Sequence, residues 1–149
     1  MIQRIQSVYL LVVTILMVVC MCNPAGSIIA STNEISEFGN LFITLPDGTK
    51  DYSTWALFII LLIVAGLSFS TIFLFKKRML QIRLTIFSIV MMIGYYLALV
   101  AYIFLLAEDT TFSASWSICL PAVGIILNWL AIRAIGADEA LVRAYDRLR

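Results

Sequence analysis

The chain contains no histidine. That removes the side chain that most often serves as a general base near neutral pH and most often ligates metals. Charge is scarce too: 13% of the 149 residues are Asp, Glu, Lys or Arg, against about 25% in an average soluble domain. A net charge of +1 leaves too little excess of cations to neutralise a nucleic-acid backbone, so nucleic acid is not an expected partner. There are three cysteines and no Cys-x-x-Cys pair, so neither a zinc site nor a dithiol redox centre is expected. No cofactor is expected.

What is abundant is apolar. Hydrophobic residues make up 62% of the chain, and the mean hydropathy is +1.03. A water-soluble globule of this size has too little interior to hide so much apolar surface. A membrane span needs about 20 mostly apolar residues, and four stretches qualify: residues 5–22, 55–75, 84–107 and 116–135. Only the last holds a charge, Arg133 near its end. The first stretch is expected to stay as a span and not be cleaved as a signal peptide. Ala25 is the nearest small residue, and Asn23 stands where a cleavage pattern needs another small one.

Basic residues resist translocation and so fix orientation. Arg4, Lys76, Lys77, Arg78, Arg83, Arg133, Arg143, Arg147 and Arg149 fall on one side of the four spans, which leaves only Lys50 on the other. Glu34, Glu37, Asp47, Asp51, Glu108 and Asp109 share the side of Lys50. Both termini are therefore expected in the cytoplasm. The expected architecture is an all-α membrane protein: an antiparallel bundle of four transmembrane helices, forming one membrane domain over residues 1–149.

Residues 23–54 form the sizeable outer loop. Residues 41–45 are rich in apolar and β-branched side chains, and Pro46-Asp47-Gly48 is a turn signal. Residues 50–53 read as the return strand and 27–30 as a third strand, giving a small hairpin-like cap. Residues 108–115 read as a short loop, which makes the third and fourth spans antiparallel neighbours. At the other end, Gly136 is expected to end or bend the fourth helix. The tail 136–149 then reads as a cytoplasmic amphipathic helix, with Leu141, Tyr145 and Leu148 on one face and Arg143, Arg147 and Arg149 flanking it. Such a helix lies on anionic lipid or docks onto a protein partner.

No Asp, Glu, Lys, Arg or His falls in the middle of any span, which weighs against ion coupling. Polar groups inside are Thr14, Ser68, Ser70, Thr71, Thr85, Ser88 and Asn128. Small residues mark three packing seams: Gly66 with Ser70, Gly94 with Ala98 and Ala101, and Gly124 with Asn128, Ala131 and Ile135. Seams of this kind let helix backbones approach closely in lipid, where no hydrophobic force drives association. Tyr95, Tyr96 and Tyr102 need hydrogen-bond partners at depth, with Asn128 or a serine as candidates. The sharper alternative is an aromatic-lined cleft for a lipid or quinone. Cys20, Cys22 and Cys119 lie near the outer ends of the first and fourth spans. They read as packing thiols, with a bridge to Cys119 as the alternative.

The opening MIQRIQSVYLLVVTIL and the closing RAIGADEALVRAYDRLR resemble the ends of a family of small four-helix inner-membrane proteins of Bacteroidetes-type bacteria. That family carries a domain-of-unknown-function label. Its C-terminal pattern falls here on Asp138, Glu139, Leu141, Val142, Arg143, Asp146, Arg147, Leu148 and Arg149. The resemblance implies a Gram-negative inner membrane and transfers no activity. The missing catalytic groups, the seams and the charged tail point to a non-catalytic accessory or scaffolding subunit of a larger membrane assembly. Its expected partners are membrane lipids and other integral membrane proteins, with a homo-oligomer as a further option. The alternative is a standalone binder or conductor of a lipid-like or quinone-like molecule.

Overall fold

The computed structural model describes residues 3–106 and 110–149. Four long helices dominate: α1 (Gln3–Cys22), α2 (Trp55–Phe73), α3 (Arg78–Leu106) and α4 (Cys119–Arg147). α1 packs on α2 and α4, and α3 packs on the same two, which closes a four-helix ring. All four are long and apolar enough to cross a membrane. The surface of the bundle agrees. Large apolar side chains such as Ile15, Leu62, Val90, Leu97 and Ile126 point outward, while Thr71, Thr85, Ser88 and Asn128 are buried. A soluble bundle has the reverse arrangement.

Each helix boundary has a local cause. A 3-10 turn at Tyr52–Thr54 leads into α2, and the Asp51 carboxylate accepts from the Ser53 amide at 3.2 Å. A second 3-10 turn, Trp116–Ile118, leads into α4, whose Pro121 sits in the first turn, where a missing amide costs nothing. α2 and α3 are joined by a tight turn: the Leu74 amide bonds Thr71 and the Lys77 amide bonds Leu74. α3 therefore starts at Arg78, before the apolar run begins, and Arg78 and Arg83 are helical. α4 passes through Gly136 without a break. The helix does not end there, because Ala131, Ile135 and Asp138 stay buried and hold it across the glycine.

One end of the bundle carries a five-stranded antiparallel sheet, not a single hairpin. Its strands are β1 (Gly26–Ala30), β2 (Ile35–Phe38), β3 (Ile43–Thr44), β4 (Lys50–Asp51) and β5 (Thr110–Ala114), in the order β4-β3-β2-β1-β5. Asn33 takes a positive φ of 60° in the β1–β2 turn, and Gly48 one of 79° between β3 and β4, where Pro46-Asp47-Gly48 makes the expected turn. β5 comes from the α3–α4 connection and pairs along the whole of β1, from Gly26 with Ala114 to Ala30 with Thr110. The stretch expected to be plain loop is thus partly strand. Glu108 and Asp109, and the side chain of Arg4, lie outside the described residues. Gly26 makes the β1–β5 pairing possible: a Cβ there would stand 2.5 Å from the Ser113 carbonyl and 2.6 Å from the Phe112 ring. Phe112 packs over that gap and meets Phe38 edge-on, with ring centres 5.6 Å apart.

Candidate functional site

At the end opposite the sheet, hereafter the basic end, the helix interiors turn polar. The inner stripe of α1 reads Gln6, Leu10, Val13, Met17, and that of α3 reads Gln81, Thr85, Ser88, Met92, Tyr95. These spacings of three and four keep one face inward. α4 does the same with Gly124, Asn128, Ala131, Ile135 and Asp138. Asp138 is only 7% exposed, and its carboxylate accepts from the Gln6 amide. The Arg78 guanidinium donates to the Asp138 carbonyl at 3.3 Å. Gln81 donates to the Thr71 carbonyl at 3.3 Å, and Asn128 to the Ser88 hydroxyl at 3.1 Å. The first and last helices and the α2–α3 turn are thereby fastened together. An acid expected in the exposed tail is in fact part of the interior.

Beyond Asp138, α4 has no cover. Every residue from Ala140 to Arg149 is exposed, including Leu141, Val142, Tyr145 and Leu148. Arg143 pairs with Glu139 at 3.1 Å on the helix surface. Arg143 and Arg147 flank the apolar stripe. Where α4 leaves the bundle it walls a cavity of about 860 Å³ against the α2–α3 turn. Lys76, Lys77, Arg78 and Arg83 line it, with Glu139 as the one acid.

The sheet end is fastened differently. Three phenols of α3 reach up to the cap. Tyr95 donates to the Asn40 side chain at 2.7 Å, Tyr96 to the Ile118 carbonyl at 2.5 Å and Tyr102 to the Ser53 carbonyl at 3.1 Å. Asn40 passes the connection on, donating to the Cys20 carbonyl at 2.7 Å. The partners of the tyrosines are thus cap groups, not Asn128 or a serine side chain. Asn128 lies nearer the basic end and is taken by Ser88. Ser117 donates to the Pro24 carbonyl at 2.7 Å and Thr54 to the Gly39 carbonyl at 3.1 Å. Cys20, Cys22 and Cys119 are free thiols, Cys20 buried and the other two exposed.

The three small-residue seams part company. Gly124, Asn128, Ala131 and Ile135 are all buried, and a Cβ on Gly124 would stand 3.1 Å from the Met17 methyl and 3.2 Å from Met92. That is a close-packed seam. Gly66 and Ser70 are exposed, and nothing lies within 4 Å of a Cβ placed on Gly66. Gly94 is equally open, Ala98 is half-buried and Ala101 exposed. Neither of these two faces packs a neighbouring helix of the same chain at its glycine. Sequence spacing reveals a smooth face but not which way it turns.

Sequence reasoning missed Gln6, Gln81, Asn40 and Asp138 as structural anchors. For Asp138 the signal was present. Gly124, Asn128, Ala131 and Ile135 advance by four, three and four, and the next step of three lands on Asp138. For Asn40, in a loop, no periodicity exists to read.

The model of a family described as a domain of unknown function, DUF4293, matches residues 2–148. The chain belongs to that family. No curated protein matches it.

Proposed function

For this member of the family, we propose a non-catalytic accessory subunit of a larger assembly in the bacterial inner membrane. The basic end faces the cytoplasm in this reading, since Lys and Arg resist translocation and gather there. Both termini are then cytoplasmic and the sheet lies outside.

One observation carries the reading: α4 outruns the bundle. Its 29 residues extend about 44 Å at 1.5 Å each, against roughly 30 Å of hydrocarbon. The overhang presents Leu141, Tyr145 and Leu148 to water, flanked by arginines. A short isolated helix is marginal in water, and an uncovered apolar stripe marks a contact surface. In this reading the stripe, carried on a helix that continues through Gly136, extends from the bundle towards a partner. The partner is an integral membrane protein whose cytoplasmic part offers an apolar groove with acidic edges, matching Arg143 and Arg147. The alternative, a quinone-like guest beside Tyr95 and Asn128, has less support, since Tyr95 already bonds Asn40 and the Asn128 amide donates to Ser88, which leaves only the buried Asn128 Oδ1 without a partner.

The test is mild-detergent purification from the native host with a tag at the N-terminus. A partner at near-equal stoichiometry, lost on Leu141→Asp with Leu148→Asp, supports the proposal. The same partners captured after that double change would remove the docking role of α4. A lone protein carrying a tightly held small molecule would favour the alternative.

A further inference from the structure

The cavity at the basic end has a composition that the docking stripe does not explain. It lies where α2 ends at Phe73 and the cations begin at Lys76, which is the level of the lipid headgroups for a bundle of this length. Of its four cations, Arg78 is engaged by the Asp138 carbonyl. Among the described residues, Lys76, Lys77 and Arg83 form no ion pair, and the one acid on the wall, Glu139, is committed to Arg143. Three unpaired cations thus share a recess of about 860 Å³ with the apolar side chains of Phe75, Leu80 and Val142. The first turn of α3 opens into the same space, because Arg78, Met79 and Leu80 line it. The positive end of a long helix adds to the field of the lysines.

We propose that this recess holds the phosphate headgroup of an anionic phospholipid. The phosphate sits among Lys76, Lys77 and Arg83, and the glycerol and first acyl carbons lie against Phe75, Leu80 and Val142. The apolar wall decides the source of the phosphate. A free phosphate ion gains nothing from three apolar side chains, whereas a lipid buries its glycerol end on them. The cations alone would be expected of any cytoplasmic turn. Their grouping around a recess, with the neighbouring acid already engaged, is what makes a site.

The experiment uses the full chain, delipidated in a neutral detergent, with equal amounts of phosphatidylglycerol and phosphatidylcholine added. Native mass spectrometry then counts retained lipid. Wild type should retain phosphatidylglycerol about tenfold more than phosphatidylcholine, since each nearby cation favours an anionic headgroup by a factor of several. Lys77→Gln with Arg83→Gln should erase that preference. Arg133→Gln with Arg149→Gln removes equal charge outside the recess and should leave it intact. Equal retention of the two lipids, or equal loss in both double variants, would overturn the proposal. A second measurement needs no variant: raising salt from low to high should weaken the preference, and a salt-independent preference counts against the lysines. Inorganic phosphate that displaces the lipid completely at millimolar levels would show a plain anion site and defeat the lipid assignment.

Discussion

Towards the sheet, the centre of the bundle is filled by Val13, Met17, Leu57, Leu61, Met92 and Leu99; towards the basic end it is filled by Gln6, Thr71, Gln81, Thr85, Ser88 and Asp138. Neither filling is held together by the hydrophobic effect while the bundle sits in lipid, because the surrounding tails are as apolar as the core. Each end therefore needs another fastening. The apolar half has the sheet, made from both connections on that side, and three phenols of α3 bond those connections beside its strands. The polar half has no sheet and joins its helices by side-chain hydrogen bonds, Gln6 to Asp138 and Asn128 to Ser88. The comparison shows that polarity inside a membrane bundle need not mean a pathway; here it replaces a missing cap.

The contrast can be broken most severely at Gln6. Gln6→Leu leaves the Asp138 carboxylate buried without its partner, at a cost of about 1–3 kcal/mol. Unfolding in detergent mixtures should show the loss, and Gln6→Leu with Asp138→Leu should recover most of it, since two apolar groups leave nothing unpaired. If the double variant is as weak as the single one, the pair is not what fastens that end. Tyr95→Phe comes next, removing one hydrogen bond to Asn40 for about 1 kcal/mol. Its effect should be local. Amide exchange should quicken in β1 and β2 and stay unchanged near Gln6, and uniform quickening would refute a two-ended design. The smallest effect belongs to Asn128→Ala, at about 0.6 kcal/mol for one interhelical bond in a membrane. A loss as large as that of Gln6→Leu would mean that Asn128 does more than join two helices.

The spans were legible in the sequence because lipid tolerates few polar side chains over about 20 residues. β1, β3 and β4 were legible because apolar β-branched runs and Pro46-Asp47-Gly48 are local signals. β2 and β5 were not. Ile35–Phe38 exposes Ile35 and Glu37, and Thr110–Ala114 is polar; both become strands only by pairing with β1. The same limit applies at Gly136. A glycine weakens a helix locally, but burial of Ile135 and Asp138 on either side overrides the preference. The tail residues Leu141, Arg143, Tyr145, Arg147 and Leu148 were singled out from the sequence, and all stand exposed in the structure.

The central place of β1 in the sheet imposes an order on the nascent chain. Its pairing with β2 is available almost at once, but Ile29 waits for Thr111, which follows 82 residues later. At ribosomal speeds of about 5–20 residues per second, that wait lasts roughly 4–16 s. During it α1 and α2 are already made, while the edge of β1 that β5 will cover stands open beside them. α3 cannot simply be appended, because the strand that follows it has to arrive at that edge in register. Completion of the sheet is thus a built-in check on α2 and α3: β5 precedes α4 in the chain and reaches β1 only when the two helices between the strands return it to the same end of the bundle.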